Sequence, residues 1–121
     1  MEYIYILQTR EFIQLKQPVY KIGRTAQLNY DRFKQYPKGS ILYQQSYCFN
    51  CLETENILIE EFKKLFKHRK DIGREYFEGD LLSMIRLLSE ACTNSLKNVV
   101  LNDDKSKYRI VDNTDDSMED E

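Results

Sequence analysis

Five side chains of this chain, Tyr5, Tyr20, Lys21, Arg32 and Glu75, are of the kinds that phosphodiester hydrolysis uses. That reaction needs a group to activate water, positive charge on the developing phosphorane and a carboxylate able to hold a metal ion. A tyrosine alone is a poor base near neutral pH, since its pKa is about 10. Cations beside it favour the phenolate, so a tyrosine flanked by Lys and Arg comes into range. Tyr5 and Lys21 fall on segments that would neighbour each other in a hairpin, and Arg32 follows Lys21 by eleven residues. That separation lets all three converge on one face.

The elements around these residues follow from periodicity. Residues 3–8 alternate apolar and aromatic side chains and predict a strand. Residues 10–17 read as a polar loop, and Pro18 precedes a second strand over 19–24. Leu28, Arg32 and Tyr36 at four-residue spacing predict a short helix that Pro37 stops. Ile41 to Phe49 is rich in β-branched and aromatic residues and predicts a third strand. Asn50 and Glu53 have capping-box spacing before a helix from about Cys51 to Lys67, with Leu52, Leu58, Ile59, Phe62, Leu65 and Phe66 as its apolar stripe. Asp80 caps a last helix that turns Leu81, Met84, Ile85, Leu88 and Cys92 inward. The expected fold is α/β (α+β): a small three-stranded antiparallel sheet flanked by about three helices.

Tyr3-Ile4-Tyr5, then Tyr20-Lys21-Ile22-Gly23, then Arg32 and a later Glu75 beside Tyr76-Phe77 resemble the GIY-YIG nuclease superfamily. The likeness is to its branch of small DNA-binding domains in phages and large DNA viruses. It spans roughly residues 3–88, and the element order agrees with that fold. The resemblance implies that Tyr5 acts on the attacking water, with help from Lys21 and Tyr20. It implies that Arg32 stabilises the transition state and that Glu75 binds one divalent cation, Mg2+ or Mn2+. Tyr3 stands where the first motif has glycine, Lys21 where a tyrosine is usual, and Tyr36 where a histidine is frequent.

A chain of 121 residues makes one domain, expected over 1–98. The net charge of −2 conceals two halves. Residues 1–101 carry 15 basic against 12 acidic side chains, while residues 102–121 carry 3 against 8. The segment 99–121 is therefore expected to be an acidic, disordered tail. Lys63, Lys64, Lys67, Arg69, Lys70 and Arg74 gather six cations in twelve residues and run into Glu75. With Arg24, they are candidate contacts to a DNA backbone, although such a run also suits a solvated helix end. His68 in the same run reads as a helix-end residue.

Glu55 lies on the core side of its helix, where it is expected to hold a buried donor such as Arg32 or a backbone amide. Cys48-Phe49-Asn50-Cys51 is a lone CxxC, and its spacings to His68 and Cys92 fit no compact zinc unit, so no zinc is expected. Three cysteines without an export signal suggest reduced thiols in an intracellular protein, cytoplasm and nucleus not distinguished. No apolar run approaches the roughly 20 residues of a membrane helix. Two functions are thus expected: a metal-dependent DNA endonuclease, or a catalytically degenerate domain that binds DNA or a protein. A domain this small would take sequence specificity from an oligomer or a protein partner.

Overall fold

Tyr3, Tyr5 and Leu7 point to one side of β1 (Glu2–Gln8) and Ile4 and Ile6 to the other, and both sets are buried. A strand apolar on both faces must lie inside a sheet that is covered twice. In the computed structural model, which describes residues 2–26 and 33–102, β1 pairs antiparallel with β2 (Val19–Thr25) and with β3 (Ile41–Cys48). These three strands are the expected sheet. Two short strands extend it, β4 (Lys67–His68) and β5 (Tyr76–Glu78), giving the antiparallel order β3-β1-β2-β5-β4. The sheet therefore has five strands and not three. Residues 69–75 are the turn of a hairpin whose strands are too short to display an alternating pattern.

Ile4, Ile6, Tyr20, Ile22 and Phe77 form one sheet face. Leu58, Ile59 and Phe62 of α2 (Cys51–Leu65) and Met84, Leu88 and Cys92 of α3 (Leu81–Asn102) cover it. Phe62 lies edge-on to Phe77 at 5.4 Å between ring centroids. Burying each such side chain contributes about 1.5–3 kcal/mol, so this face supplies most of the driving force. Tyr5, Leu7 and Phe33 make a smaller cluster on the opposite face, with Tyr36 and Leu42 against it.

Several local expectations change. Residues 10–14 form α1 (Arg10–Gln14), started by the Thr9 carbonyl accepting from the Phe12 and Ile13 amides. It buries nothing, so no apolar period announced it. Asn50 precedes α2 with a left-handed backbone (φ 50°) and makes no side-chain cap. The Thr54 hydroxyl instead donates to the Phe49 carbonyl at 3.1 Å. The buried stripe of α2 is Cys51, Thr54, Glu55, Leu58, Ile59 and Phe62, while Leu52 and Leu65 are exposed by 55% and 58%. The last helix is capped as expected: Asp80 accepts from the Ser83 amide at 2.9 Å and its hydroxyl at 2.8 Å. Residues 33–36 close one tight turn before Pro37, with the Tyr36 amide donating to the Phe33 carbonyl at 3.1 Å. The rest of the helix expected over 28–36 lies outside the described residues, as does the acidic tail from 103 onward. No helix among the described residues is long and apolar enough to cross a membrane.

Candidate functional site

The β1–β2 register sets Tyr5 opposite Gly23 and Leu7 opposite Lys21. Residues directly opposed in a ladder share a face, so Tyr5 and Lys21 emerge on the same side, away from α2 and α3. Gly23 is the residue that permits this. A Cβ there would collide with the Tyr5 phenol, so only glycine lets the ring lie flat across β2. The Tyr5 ring then packs edge-on to Phe33 at 4.8 Å, and Tyr5 is fully buried.

Lys21 is the hub. Its ammonium donates to the Tyr36 hydroxyl at 2.7 Å and the Tyr5 hydroxyl at 3.4 Å, and the two phenol oxygens are 3.1 Å apart. It lies 3.6 Å from Glu75 Oε1. Burial works against the charge on Lys21. The hydrogen bond to Tyr36 and the neighbouring Tyr5, Tyr36 and Glu75 outweigh that and hold it above the ordinary lysine range. Glu75 is brought there by the sheet: its carbonyl accepts the Ile22 amide at 2.9 Å, one residue before β5 begins. The His68 ring nitrogen donates to the Arg74 carbonyl at 2.8 Å and its ring stacks on Phe77, which fixes the backbone just before Glu75.

Past this point β2 has no β5 partner, and an open cleft of about 400 Å³ at this free edge is lined from both faces of the sheet and from the first half of α2. Tyr5, Lys21, Gly23 and Arg24 line its sheet side, Leu52, Glu55 and Asn56 its helix side, and Arg74 and Glu75 its end. Arg24 Nε lies 3.3 Å from Glu55 Oε1, and Arg74 donates to Asn56 Oδ1 at 3.0 Å while standing 3.9 Å from Glu75. Glu55 is only 3% exposed. Its Oε2 has no hydrogen-bond partner among the described residues. Burial first, and then the charge of Glu75, push its carboxyl above the usual range.

The sequence-derived candidates divide accordingly. Tyr5, Lys21, Glu75, Arg24 and Arg74 meet at this cleft. Arg32 lies outside the described residues. Tyr20 does not belong to the site: adjacent strand residues face opposite ways, and Tyr20 points into the helix-covered core, edge-on to Tyr43. Tyr5, expected to act on the attacking water, borders the cleft but is fully buried against Phe33 and over Gly23, so the half-buried phenol of Tyr36 is the one nearer solvent. The basic run does not border the cleft as a unit. Lys63 pairs with Glu60 at 3.0 Å. Arg69 is taken up by Asp71 at 2.8 Å and Glu78 at 3.0 Å, bracing the β4–β5 hairpin. Lys64, Lys67 and Lys70 are exposed along the end of α2, the edge strand and the hairpin turn.

Among the described residues Glu55 pairs with Arg24, and Arg32 lies outside them. Asn56 was missed, since an exposed helix asparagine carries no signal until its partner Arg74 is seen. Cys48, Cys51 and Cys92 are free and buried, and burial pushes the Cys92 thiol up to about 12, so they pack as inert side chains. No curated protein and no solved structure matches the chain. A family match does exist, to a domain found in phage and related nuclease-like proteins, which suggests a nuclease-like or DNA-binding function. It runs from residue 2 to residue 95, across the whole sheet and the cleft, and by it the chain belongs to the T5orf172 domain family.

Proposed function

We propose that this domain is a metal-dependent DNA endonuclease of the GIY-YIG type. The observation that carries the reading is the placement of one ammonium, Lys21, in contact range of two phenols and the Glu75 carboxylate at the mouth of a cleft flanked by Arg24 and Arg74. Packing alone does not require that set. In this reading Arg24 and Arg74 receive a backbone phosphate, and Lys21 orients both phenols by donating to each hydroxyl. Tyr36, half-buried and 2.7 Å from Lys21, meets the attacking water, and Tyr5 supports it from beneath.

Glu75 is a fit host for a hard divalent cation. Its side chain is 29% exposed, and its contacts to Lys21 at 3.6 Å and Arg74 at 3.9 Å are too long to occupy its lone pairs. Bound there, Mg2+ or Mn2+ would stabilise negative charge on the phosphate and the leaving oxygen.

Incubating the protein with supercoiled plasmid and Mg2+ tests the reading against Glu75→Ala. The expected result is nicking by the wild type that needs the metal and is lost in the variant. Equal nicking by both, or none by either, overturns it. The full burial of Tyr5 favours a second reading, in which the fold binds DNA without cutting it. Salt-sensitive DNA binding with no metal-dependent cleavage would support that alternative, because phosphate contacts weaken as counterions compete.

A further inference from the structure

We propose that Glu55 is a second protein ligand of the divalent cation assigned to Glu75, so that two carboxylates, one from α2 and one from the β5 approach, hold it across the cleft. This rests on the metal-dependent reading above and extends it to a residue outside the sequence-derived candidates for that ion.

Four observations lead here. Glu55 lies on the core side of α2, yet it lines the same cleft as Glu75. Arg24 engages only Oε1, and the buried Oε2 is without a hydrogen-bond partner among the described residues. A carboxylate oxygen withdrawn from water without a donor costs free energy, and such atoms are rare in folded proteins unless function retains them. Glu55 and Glu75 also place two like charges on the wall of one cleft, which repel when both are ionised. A divalent cation between them converts that repulsion into attraction and supplies the missing partner. Hard cations take oxygen ligands, and affinity rises with the number of carboxylates offered.

The other polar clusters do not compete. The three cysteines are packed thiols, and Arg69 is satisfied by Asp71 and Glu78.

The test is Mn2+ binding to the full chain, followed by calorimetry and by the electron paramagnetic resonance signal of free Mn2+. Wild type, Glu55→Gln and Glu75→Gln are compared at equal protein concentration, with circular dichroism to confirm folding. The expected result is one Mn2+ per chain in the wild type, weakened about tenfold or more in each variant. Wild-type affinity in Glu55→Gln, or no saturable Mn2+ binding in the wild type, overturns the proposal. Should Glu55→Gln fail to fold, Arg24→Gln decides. Releasing Oε1 from Arg24 should tighten Mn2+ binding several-fold, and unchanged or weaker binding overturns the role of Glu55. Plasmid cleavage is scored separately. Mn2+ binding that needs both glutamates stands whether or not DNA is cut, whereas cutting abolished only by Glu75→Gln, with Mn2+ affinity intact in Glu55→Gln, removes Glu55 alone.

Discussion

Tyr5 and Gly23 face each other across the β1–β2 ladder, and the phenol of one occupies the space in which the other would carry its first side-chain carbon. The glycine is there for what lies above it. Gly23→Ala should therefore push the Tyr5 ring off β2, costing about 1–3 kcal/mol in stability by overpacking. Urea unfolding would measure this as a lowered midpoint with unchanged slope. A variant as stable as the wild type would mean that the ring has room elsewhere.

Tyr36→Phe removes the 2.7 Å acceptor of Lys21 while leaving the ring in place. The expected loss of stability is about 0.5–1.5 kcal/mol. If Tyr36 meets the attacking water, metal-dependent nicking should fall by about 100-fold or more, with DNA affinity nearly unchanged. Nicking at the wild-type rate would transfer that role to Tyr5.

Two arginines five residues apart in the hairpin turn have opposite expected behaviour. Arg74→Ala, at the cleft, should weaken binding of all DNA sequences alike and lower the salt slope of log K by about 1. Arg69→Ala, with its charge already committed to Asp71 and Glu78, should loosen the β4–β5 hairpin and leave the slope almost unchanged. Filter binding across a salt series, with hydrogen exchange of residues 67–78, separates them.

Asp80 gives a pH dependence with a definite sign. Its hydrogen bonds to the Ser83 hydroxyl and amide hold its carboxyl below the usual aspartate value. A group depressed in the folded state contributes stability above its unfolded pKa of about 3.9, and that contribution is lost as pH falls through the lower folded value. Asp80→Ala should melt a few degrees lower than the wild type at neutral pH, and the two curves should converge in strong acid. Parallel curves down to the lowest pH would remove Asp80 from the cap.

Much of this arrangement could be read from residue order. Tyr5, Lys21 and Glu75 were expected together because a hairpin brings the first two side by side, and they do meet. Tyr20, expected to help Tyr5 alongside Lys21, points into the helix-covered core instead, because strand alternation sends neighbouring residues to opposite faces. β4 and β5 escaped notice because two or three residues cannot display a period; their pairing depends on β2, which is distant in sequence. The commitment of Arg69 was equally hidden. A run of like charges is visible in sequence, but the carboxylates that cancel some of them are supplied by the hairpin closing. Leu52 had the right spacing for the core stripe and lost its place to Thr54 and Glu55, which the α2 start rotates inward.

Counted as one electrostatic unit, the cleft holds Lys21, Arg24 and Arg74 against Glu55 and Glu75. With both glutamates ionised, these described residues carry an excess of a single positive charge, which balances one phosphodiester. If the domain grips a longer polyanion, a neighbouring cleft of about 420 Å³ bordered by Lys34 and Lys38 lies on the Tyr36 side to receive it. A divalent ion between the glutamates would raise the excess to three. Metal and DNA would then each strengthen the binding of the other by the same factor, as reciprocity between two sites requires.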